Sequence, residues 1–451
     1  MKTYLLKTAC FAAAVSLLGT ATAHAITANP LISRGKTVKL SNGTAAALVD
    51  GKFGGGAFTF SANSWFAIDL GTGPSKIFIT WNSISYTWSD KIADPGRSDC
   101  KQTPSYPVGY TIQTSANSTD GSDGDWTTAV TISDNKVTAR GHAVDFTGKR
   151  WVKMSVASSN RTNEKIDEVE VFDASKGGDD TWFFAGTSIS ANAYKSFPTI
   201  KTFPAWVNEA HADFYPAIVR GGIPCITSAH FARDISMYLD AAGSCRFWAI
   251  EMGTNDAWDG KNDNVPAFKK NLQLVIDSCK ARGIAPIIAN VLATDSAKAK
   301  WQVHPDFAKA VADLVKTNDL FEGPDFFAAF KANPTYLNSD GVHPNNNGGA
   351  AMHKLWAEKM NGVYTGSAVR GTATTAATRG SRPHLTVIGG ESRTGVRVDV
   401  PGVLSVYSLN GRLVGSLTLR AAGFRTIPAV RGCRILRFEF AGGSILSEIV
   451  Q

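Results

Sequence analysis

Four side chains far apart in the chain have the chemistry of acyl transfer if folding brings them together: Ser188, Asn255, Asp340 and His343. Ser188 closes the run Trp182-Phe183-Phe184-Ala185-Gly186-Thr187-Ser188. Four apolar residues bounded by polar ones suit a strand buried on both faces. Ser188 then stands just past the strand's carboxyl end, the edge at which open α/β sheets bind ligands. A serine hydroxyl is a weak nucleophile until a base takes its proton. His343 is the candidate base, and Asp340, three residues before it, is placed to hold the imidazole in one tautomer and stabilise the imidazolium. Asn255, in Gly253-Thr254-Asn255-Asp256 after another apolar run, can give a side-chain amide to an oxyanion, and the Ser188 N–H a second donor. Ser188 alone could equally cap the next helix. The other three residues favour the nucleophile.

Strands and helices must carry these residues. Ile218-Val219-Arg220-Gly221-Gly222, Phe247-Trp248-Ala249-Ile250 and residues 284–291, interrupted by Pro286, read as three further strands. Val265, Phe268, Leu272, Val275, Ile276 and Cys279 recur at three- and four-residue steps, which predicts a helix with one face on the sheet. Further helices are expected over about 305–316 and after Pro344. Strands alternating with helices predict a parallel sheet in a three-layer α/β domain over 181–363.

The flanks differ in character. Residues 26–175 hold short β-like runs separated by turn residues, which predicts an all-β sandwich with Trp65, Trp81, Trp126 and Trp151 as core. Within it, residues 83–107 carry Tyr86, Trp88, Arg97 and Tyr106 among polar neighbours, a composition suited to stacking on sugars and holding their hydroxyls. Tyr86 and Trp88 could equally be core. Residues 174–180 and 364–383 read as linkers, and 384–451 as a small all-β module of alternating strands.

Charge and cysteines bound the setting. The net charge is +8, and from Tyr364 onward eleven arginines face four carboxylates and no lysine. These arginines are spread along strands rather than clustered with aromatics, which argues against nucleic acid and for solubility or an acidic envelope. Lys2 and Lys7, an apolar run and Ala23-His24-Ala25 form a secretory signal over 1–25, so the mature chain is expected to start at Ile26. No later run is long enough to cross a bilayer. Beyond Cys10 stand Cys100, Cys225, Cys245, Cys279 and Cys433, an odd number without a Cys-x-x-Cys pair, which argues against structural zinc. Cys245 before a strand and Cys279 at the end of the following helix can meet at the bottom of the sheet; a disulfide between them is one of two open readings.

Gly186-Thr187-Ser188-Ile189, Gly253-Thr254-Asn255-Asp256 and Asp340-Gly341-Val342-His343, in this order, resemble the three blocks of the SGNH (GDSL-like) hydrolases. The resemblance implies Ser188, His343 and Asp340 as nucleophile, base and acid. It also implies an oxyanion hole of Ser188 N–H, Asn255 and a third backbone donor from residues 221–227. That donor is Gly222 or Cys225, with Cys225 preferred. Thr187 replaces the family's aspartate, a change expected to alter loop hydrogen bonding without abolishing the chemistry.

Residues 26–175 resemble a discoidin-like carbohydrate-binding module through Val49-Asp50-Gly51, Ile68-Asp69-Leu70-Gly71, Gly124-Asp125-Trp126, Arg150-Trp151-Val152 and Ile166-Asp167-Glu168-Val169. Such modules often hold a structural calcium near the Asp-Gly loop, here Asp50; no other cofactor is implied. Residues 384–451 resemble the C-terminal sorting modules of type IX secretion through residues 406–414 and 443–450, with Cys433 where an aromatic is usual. Their implied partner is the secretion machinery. The joint expectation is a secreted or surface esterase that removes acyl groups, acetyl above all, from a plant cell-wall polysaccharide such as xylan. The alternatives are a lipolytic esterase or thioesterase, and a non-catalytic carbohydrate-binding protein. His211, His230, His304 and His353 lack metal-like spacing. His304 beside Trp301 is a lesser candidate for the cleft, Asp256 is expected to be structural, and Asp259, Asp263 and Asp295 show no glycosidase-like pairing.

Overall fold

The computed structural model describes residues 26–365, except 54, 92–99, 101 and 196–198, and beyond them the backbone of the C-terminal strands. The expected signal segment, Arg97, the 366–383 stretch and Cys433 lie outside the described residues. The chain divides into two compact units, Met1–Thr374 and Thr375–Gln451.

The first unit opens with strands β1 (Val38–Leu40), β2 (Phe58–Phe60), β3 (Trp65–Asp69), β4 (Lys76–Ser83), β5 (Pro107–Ser115), β6 (Thr127–Ile132), β7 (Ala139–Asp145), β8 (Trp151–Ser159) and β9 (Glu164–Asp173). They form two antiparallel sheets, β1-β3-β8-β5-β6 and β2-β9-β4-β7. Alternation along β3 sends Phe66 and Ile68 inward to meet Trp81, Tyr110, Met154 and Val169. It sends Trp65 outward. Trp81 and Trp151 are buried as expected, but Trp65 and Trp126 are half-buried and flank Lys153, whose Nζ lies 3.5 Å from the Trp126 ring centre and 4.9 Å from that of Trp65. The expectation that all four tryptophans are core is corrected: strand phase turns Trp65 outward, and Trp126 lies in the loop before β6.

The α/β part has strands β10 (Thr181–Ala185), β11 (Ala217–Arg220), β12 (Phe247–Ile250) and β13 (Ala285–Ile288), parallel in the order β11-β10-β12-β13. Around them run α1 (Ser188–Lys195), α2 (Phe203–Ala210), α3 (Ser228–Arg233), α4 (Ile235–Ala242), α5 (Val265–Ala281), α6 (Ser296–Ala299), α7 (Pro305–Asn318), α8 (Phe326–Ala332) and α9 (Asn346–Thr365). Strand alternation gives the sheet two apolar faces. Phe183, Trp248 and Ile250 meet Phe268, Leu272, Val275 and Ile276 of α5, while Trp182, Phe184 and Phe247 meet Phe203 of α2 and Met352, Trp356 and Met360 of α9.

The first of these faces is shared. Phe78, Trp88, Val137, Ala139 and Phe172 of the sandwich belong to the same apolar cluster as Phe183 and Trp248. Residues 174–180 are buried at their two ends, Ala174 and Asp180, and exposed between them at 175–177; the Asp180 carboxylate accepts from Trp182 Nε1 and Tyr364 Oη.

The cysteine pairing is corrected. Cys245 and Cys279 are free thiols buried in the apolar layer between sheet and helices, where desolvation raises both and pushes Cys245 up to about 12. The disulfide joins Cys100 to Cys225 across 125 residues.

In the second unit, β14 (Leu385–Ile388), β15 (Arg393–Val398), β16 (Gly402–Ser408), β17 (Leu413–Leu419), β18 (Gly423–Pro428), β19 (Arg434–Phe440) and β20 (Ile445–Val450) form antiparallel sheets β14-β15-β18 and β17-β16-β19-β20. Among the described residues no helix is long and apolar enough to cross a membrane.

Candidate active site

β10 ends at Ala185 and α1 begins at Ser188, so a two-residue turn presents the serine at the sheet's carboxyl edge. Gly186 permits that turn, because a Cβ there would strike the Ser190 side chain and come within 2.8 Å of Glu251 Oε2. Ser188 Oγ lies 2.9 Å from His343 Nε2, and His343 Nδ1 lies 2.7 Å from Asp340 Oδ2. A carboxylate on Nδ1 fixes the proton there and leaves the Nε2 lone pair for the serine hydroxyl. Ser188 stays half-buried and open to a reactant.

The Asp340–His343 turn orders itself. Asp340 Oδ1 accepts from the N–H groups of Val342 and His343 at 2.9 and 3.0 Å. Partial burial pushes the Asp340 carboxyl up, but these N–H groups and the His343 ring outweigh it and hold the carboxyl below its ordinary value. Gly341 has φ +69°, and its carbonyl accepts from Asp295 N at 2.8 Å, which docks the turn on the loop after β13. A Cβ at Gly341 would lie 2.7 Å from Ala299 N and 2.8 Å from Asp295 O.

Glu251 holds the nucleophile turn from beneath. Fully buried just past β12, its Oε2 accepts from Thr187 N at 3.1 Å, Thr187 Oγ1 at 3.0 Å and Ser190 Oγ at 3.1 Å. Desolvation raises its pKa against the pull of those donors. Thr187, the departure from the resembled Gly-Asp-Ser block, is thus the residue that meets Glu251. Sequence reasoning passed over Glu251, although a carboxylate directly after four apolar strand residues was a visible signal.

Asn255 Nδ2 donates one proton to Ile226 O at 2.8 Å, which anchors the amide and leaves its second N–H to turn to the site. Asp256 accepts from Ser228 N and Oγ, ties α3 to this loop and is structural, as expected. Residues 221–227 lie against the nucleophile turn: Ile223 N donates to Gly186 O at 2.9 Å, and a Cβ on Gly222 would sit 2.6 Å from Ala191 N. Cys225 has φ +62°, an uncommon conformation for a non-glycine residue. Among the described residues, no hydrogen bond takes up the N–H of Ser188, Gly222 or Cys225.

The sugar-facing expectation for the sandwich loop is corrected at Trp88 and Tyr106, which are buried. Trp88 is fully buried, its ring 4.9 Å from Phe183 and 5.0 Å from Tyr238, with Nε1 donating to Ala139 O. Tyr86 reaches Ser188, its hydroxyl donating to Ser188 O at 3.3 Å. Burial first, and then the Asp340 charge, push its pKa up to about 12, so it stays a neutral donor. Tyr106 is buried and donates to Asp90. His304 caps α7, its Nδ1 accepting from Asp306 N, so it is a helix residue. Trp258, three residues beyond Asn255, is 47 % exposed and lies 4.9 Å from Trp301.

The residues beside Asp50 do not fit a calcium ion. The Arg34 guanidinium lies against Gly51 and donates to Glu170 Oε1 at 3.2 Å, while Glu168 accepts from Gly51 N, so a resident cation already balances the carboxylates. Among the described residues no group of three or more His, Cys, Asp or Glu is placed to hold a metal.

No protein-family model matches this sequence, and no curated protein does. Solved structures similar to parts of the chain include a lipase/acylhydrolase from Enterococcus faecalis, with 20% identity, 40% of this chain and 95% of that chain covered, and TM-score 0.34. A variant of Axe2, an acetyl xylan esterase from Geobacillus stearothermophilus, is similar at 16% identity over 40% of this chain and 94% of that one, with TM-score 0.33. Chitosan-binding module 2 of a chitosanase/glucanase from Paenibacillus sp. IK-5 is similar at 19% identity over 31% of this chain and 98% of that one, with TM-score 0.24.

Proposed function

We propose that this protein is a serine esterase that removes small acyl groups, acetyl first among them, from a plant cell-wall polysaccharide such as xylan. The observation that carries the reading is the hydrogen-bonded relay from Ser188 Oγ through His343 to Asp340. As Ser188 Oγ attacks the ester carbonyl, its proton passes to His343 Nε2, and Asp340 stabilises the imidazolium. The tetrahedral oxyanion is met by the Ser188 N–H, the free Asn255 amide proton and an N–H from Cys225 or Gly222. Collapse expels the sugar alkoxide, which takes the proton from Nε2–H, and leaves an acyl ester on Ser188. Water, deprotonated by His343, attacks that ester; collapse releases the acid, and the leaving Ser188 Oγ takes the proton back from His343.

The sugar assignment rests on the exposed Trp258 face beside Trp301, carried on the loop that follows Asn255. Such a face suits a pyranose ring. The signal-like 1–25 segment and the C-terminal resemblance support export to the cell exterior or surface, with the secretion machinery as partner.

Acetate release from acetylated xylan by the protein and by Ser188→Ala tests the proposal. Release that vanishes in the variant is expected. A preference for long-chain acyl esters would move the assignment to a lipolytic enzyme, and polysaccharide binding without any turnover would reduce it to a binding protein.

A further inference from the structure

Sandwich residues close on the active site at three points. Tyr86 meets the nucleophile through its hydroxyl, 3.3 Å from Ser188 O, and like Ser188 it is only half-buried. Trp88 N donates to Gly222 O at 2.8 Å, while its indole fills the space between Phe183 of β10 and Tyr238 of α4. Cys100 is bonded to Cys225, the residue whose left-handed conformation shapes the turn between Gly222 and α3. The loop that carries the expected oxyanion donors is therefore gripped at both ends by another fold.

The grip is itself held. Thr138, the residue before β7, donates to Trp88 O at 2.8 Å and, through Oγ1, to Thr87 O at 3.1 Å, so residues 87 and 88 are backed by the sandwich. A tether that merely kept an enzyme near its substrate would not bury a tryptophan in the catalytic core or bond covalently to the loop opposite the nucleophile. A non-glycine residue held at positive φ stores strain that surrounding structure must impose. Here the disulfide at Cys225 and the Trp88 hydrogen bond to Gly222 tie that segment to the sandwich.

We propose that the sandwich is the second half of the active site: Tyr86, Trp88 and Cys100 act as positioning residues that hold the Ser188 carbonyl and the 222–225 donor loop in the geometry of the tetrahedral intermediate. This inference rests on the Ser188 relay described above. Interactions realised in the transition state change kcat, whereas uniform substrate binding changes KM. Displacement of a reacting group by about 1 Å can cost on the order of a hundredfold. Detaching the clamp therefore lowers kcat at nearly constant KM.

The test uses the full chain and a small aryl acetate, which makes no demand on a polysaccharide site. Ser188→Ala is assayed first; turnover equal to that of the wild type would overturn the relay and this inference with it. With Ser188-dependent turnover established, Cys100→Ser is expected to lower kcat by about tenfold to a hundredfold, with KM within twofold. Tyr86→Phe, which keeps the ring and its packing, is expected to lower kcat severalfold. Reduction of the wild-type disulfide should reproduce the Cys100→Ser loss, and reoxidation should restore kcat. A structural role would instead lower the melting temperature while the folded fraction keeps its kcat. Wild-type kcat in both variants, with far-ultraviolet circular dichroism showing them folded, would overturn the proposal.

Discussion

Residues 186–190 carry the proposed nucleophile and are tied from beneath by one buried acidic side chain of the α/β part, whereas residues 221–227, beside the same site, are bonded both to the α/β part, through Gly186 O and Asn255, and to the sandwich, through Trp88 and Cys100. The first clamp is a set of hydrogen bonds to Glu251, local in space and sensitive to any change in that side chain. The second is a covalent bond backed by an apolar contact, and it makes one fold depend on another. The difference separates what each loop must do. The nucleophile turn keeps a hydroxyl within reach of one ring nitrogen, which short-range hydrogen bonds can do. The facing loop must keep backbone N–H groups unpaired beside a strained residue, and that needs an outside constraint.

The comparison breaks most completely at the group both loops serve. His343→Ala removes the base and should lower kcat by roughly 10^4-fold, with the fold intact, in an aryl acetate assay. Asn255→Ala removes a donor from the facing side and should lower kcat by about 10^2- to 10^3-fold with little change in KM.

Glu251→Ala attacks the other clamp. It strands the Thr187 N–H and two hydroxyls in a dry interior, at a cost of about 1–3 kcal/mol for each buried group left unpaired. The expected result is a melting transition lowered by several degrees together with reduced kcat. Glu251→Gln keeps the shape of the side chain and an acceptor oxygen, so it should lie between wild type and alanine. Equal behaviour of the two variants would mean that the Glu251 oxygen does not hold the turn.

Acid should also separate the two loops. His353 of α9 accepts from Phe203 N at 2.9 Å through Nδ1 and donates to Ala193 O at 2.8 Å through Nε2, which pins the far end of α1 behind Ser188. Burial pulls its pKa down to about 4, below its ordinary value near 6.5. The folded state thus binds fewer protons than the unfolded one between these values. The contribution of His353 is full above about pH 6.5 and is lost as pH falls toward 4. The melting temperature should fall over that window, and His353→Gln should flatten its slope. The disulfide of the facing loop has no proton to gain.

The smallest effect is expected at the rim. Trp258→Ala should raise KM for acetylated xylan severalfold, the scale of one lost aromatic contact.

Much of the site was legible because its signals are local. A buried strand that stops at Gly186-Thr187-Ser188 and an aspartate three residues before a histidine are short-range patterns, and the structure brings Ser188, Asp340 and His343 together. The parallel strands and α5 were legible for the same reason: apolar periodicity reports burial within one element. Glu251 shows up in the sequence as a lone carboxylate after Ile250, but its three partners sit 61 to 64 residues away. Trp88 stayed open between core and sugar contact because composition gives no sign of which fold a loop packs against. Composition suggested a ligand surface, whereas packing against Phe183 and Tyr238 made Trp88 core. The Cys100–Cys225 pairing follows from that same packing between folds, whereas spacing alone left a bond between the two cysteines of one βα unit open.

The most direct test of the central claim is the mass of the protein after treatment with an aryl fluorophosphonate, which phosphonylates an activated serine with loss of fluoride. A single adduct on the peptide that carries Ser188, abolished in His343→Ala, is the predicted result. No adduct, or an adduct on another residue, would contradict a nucleophile built from Ser188, His343 and Asp340.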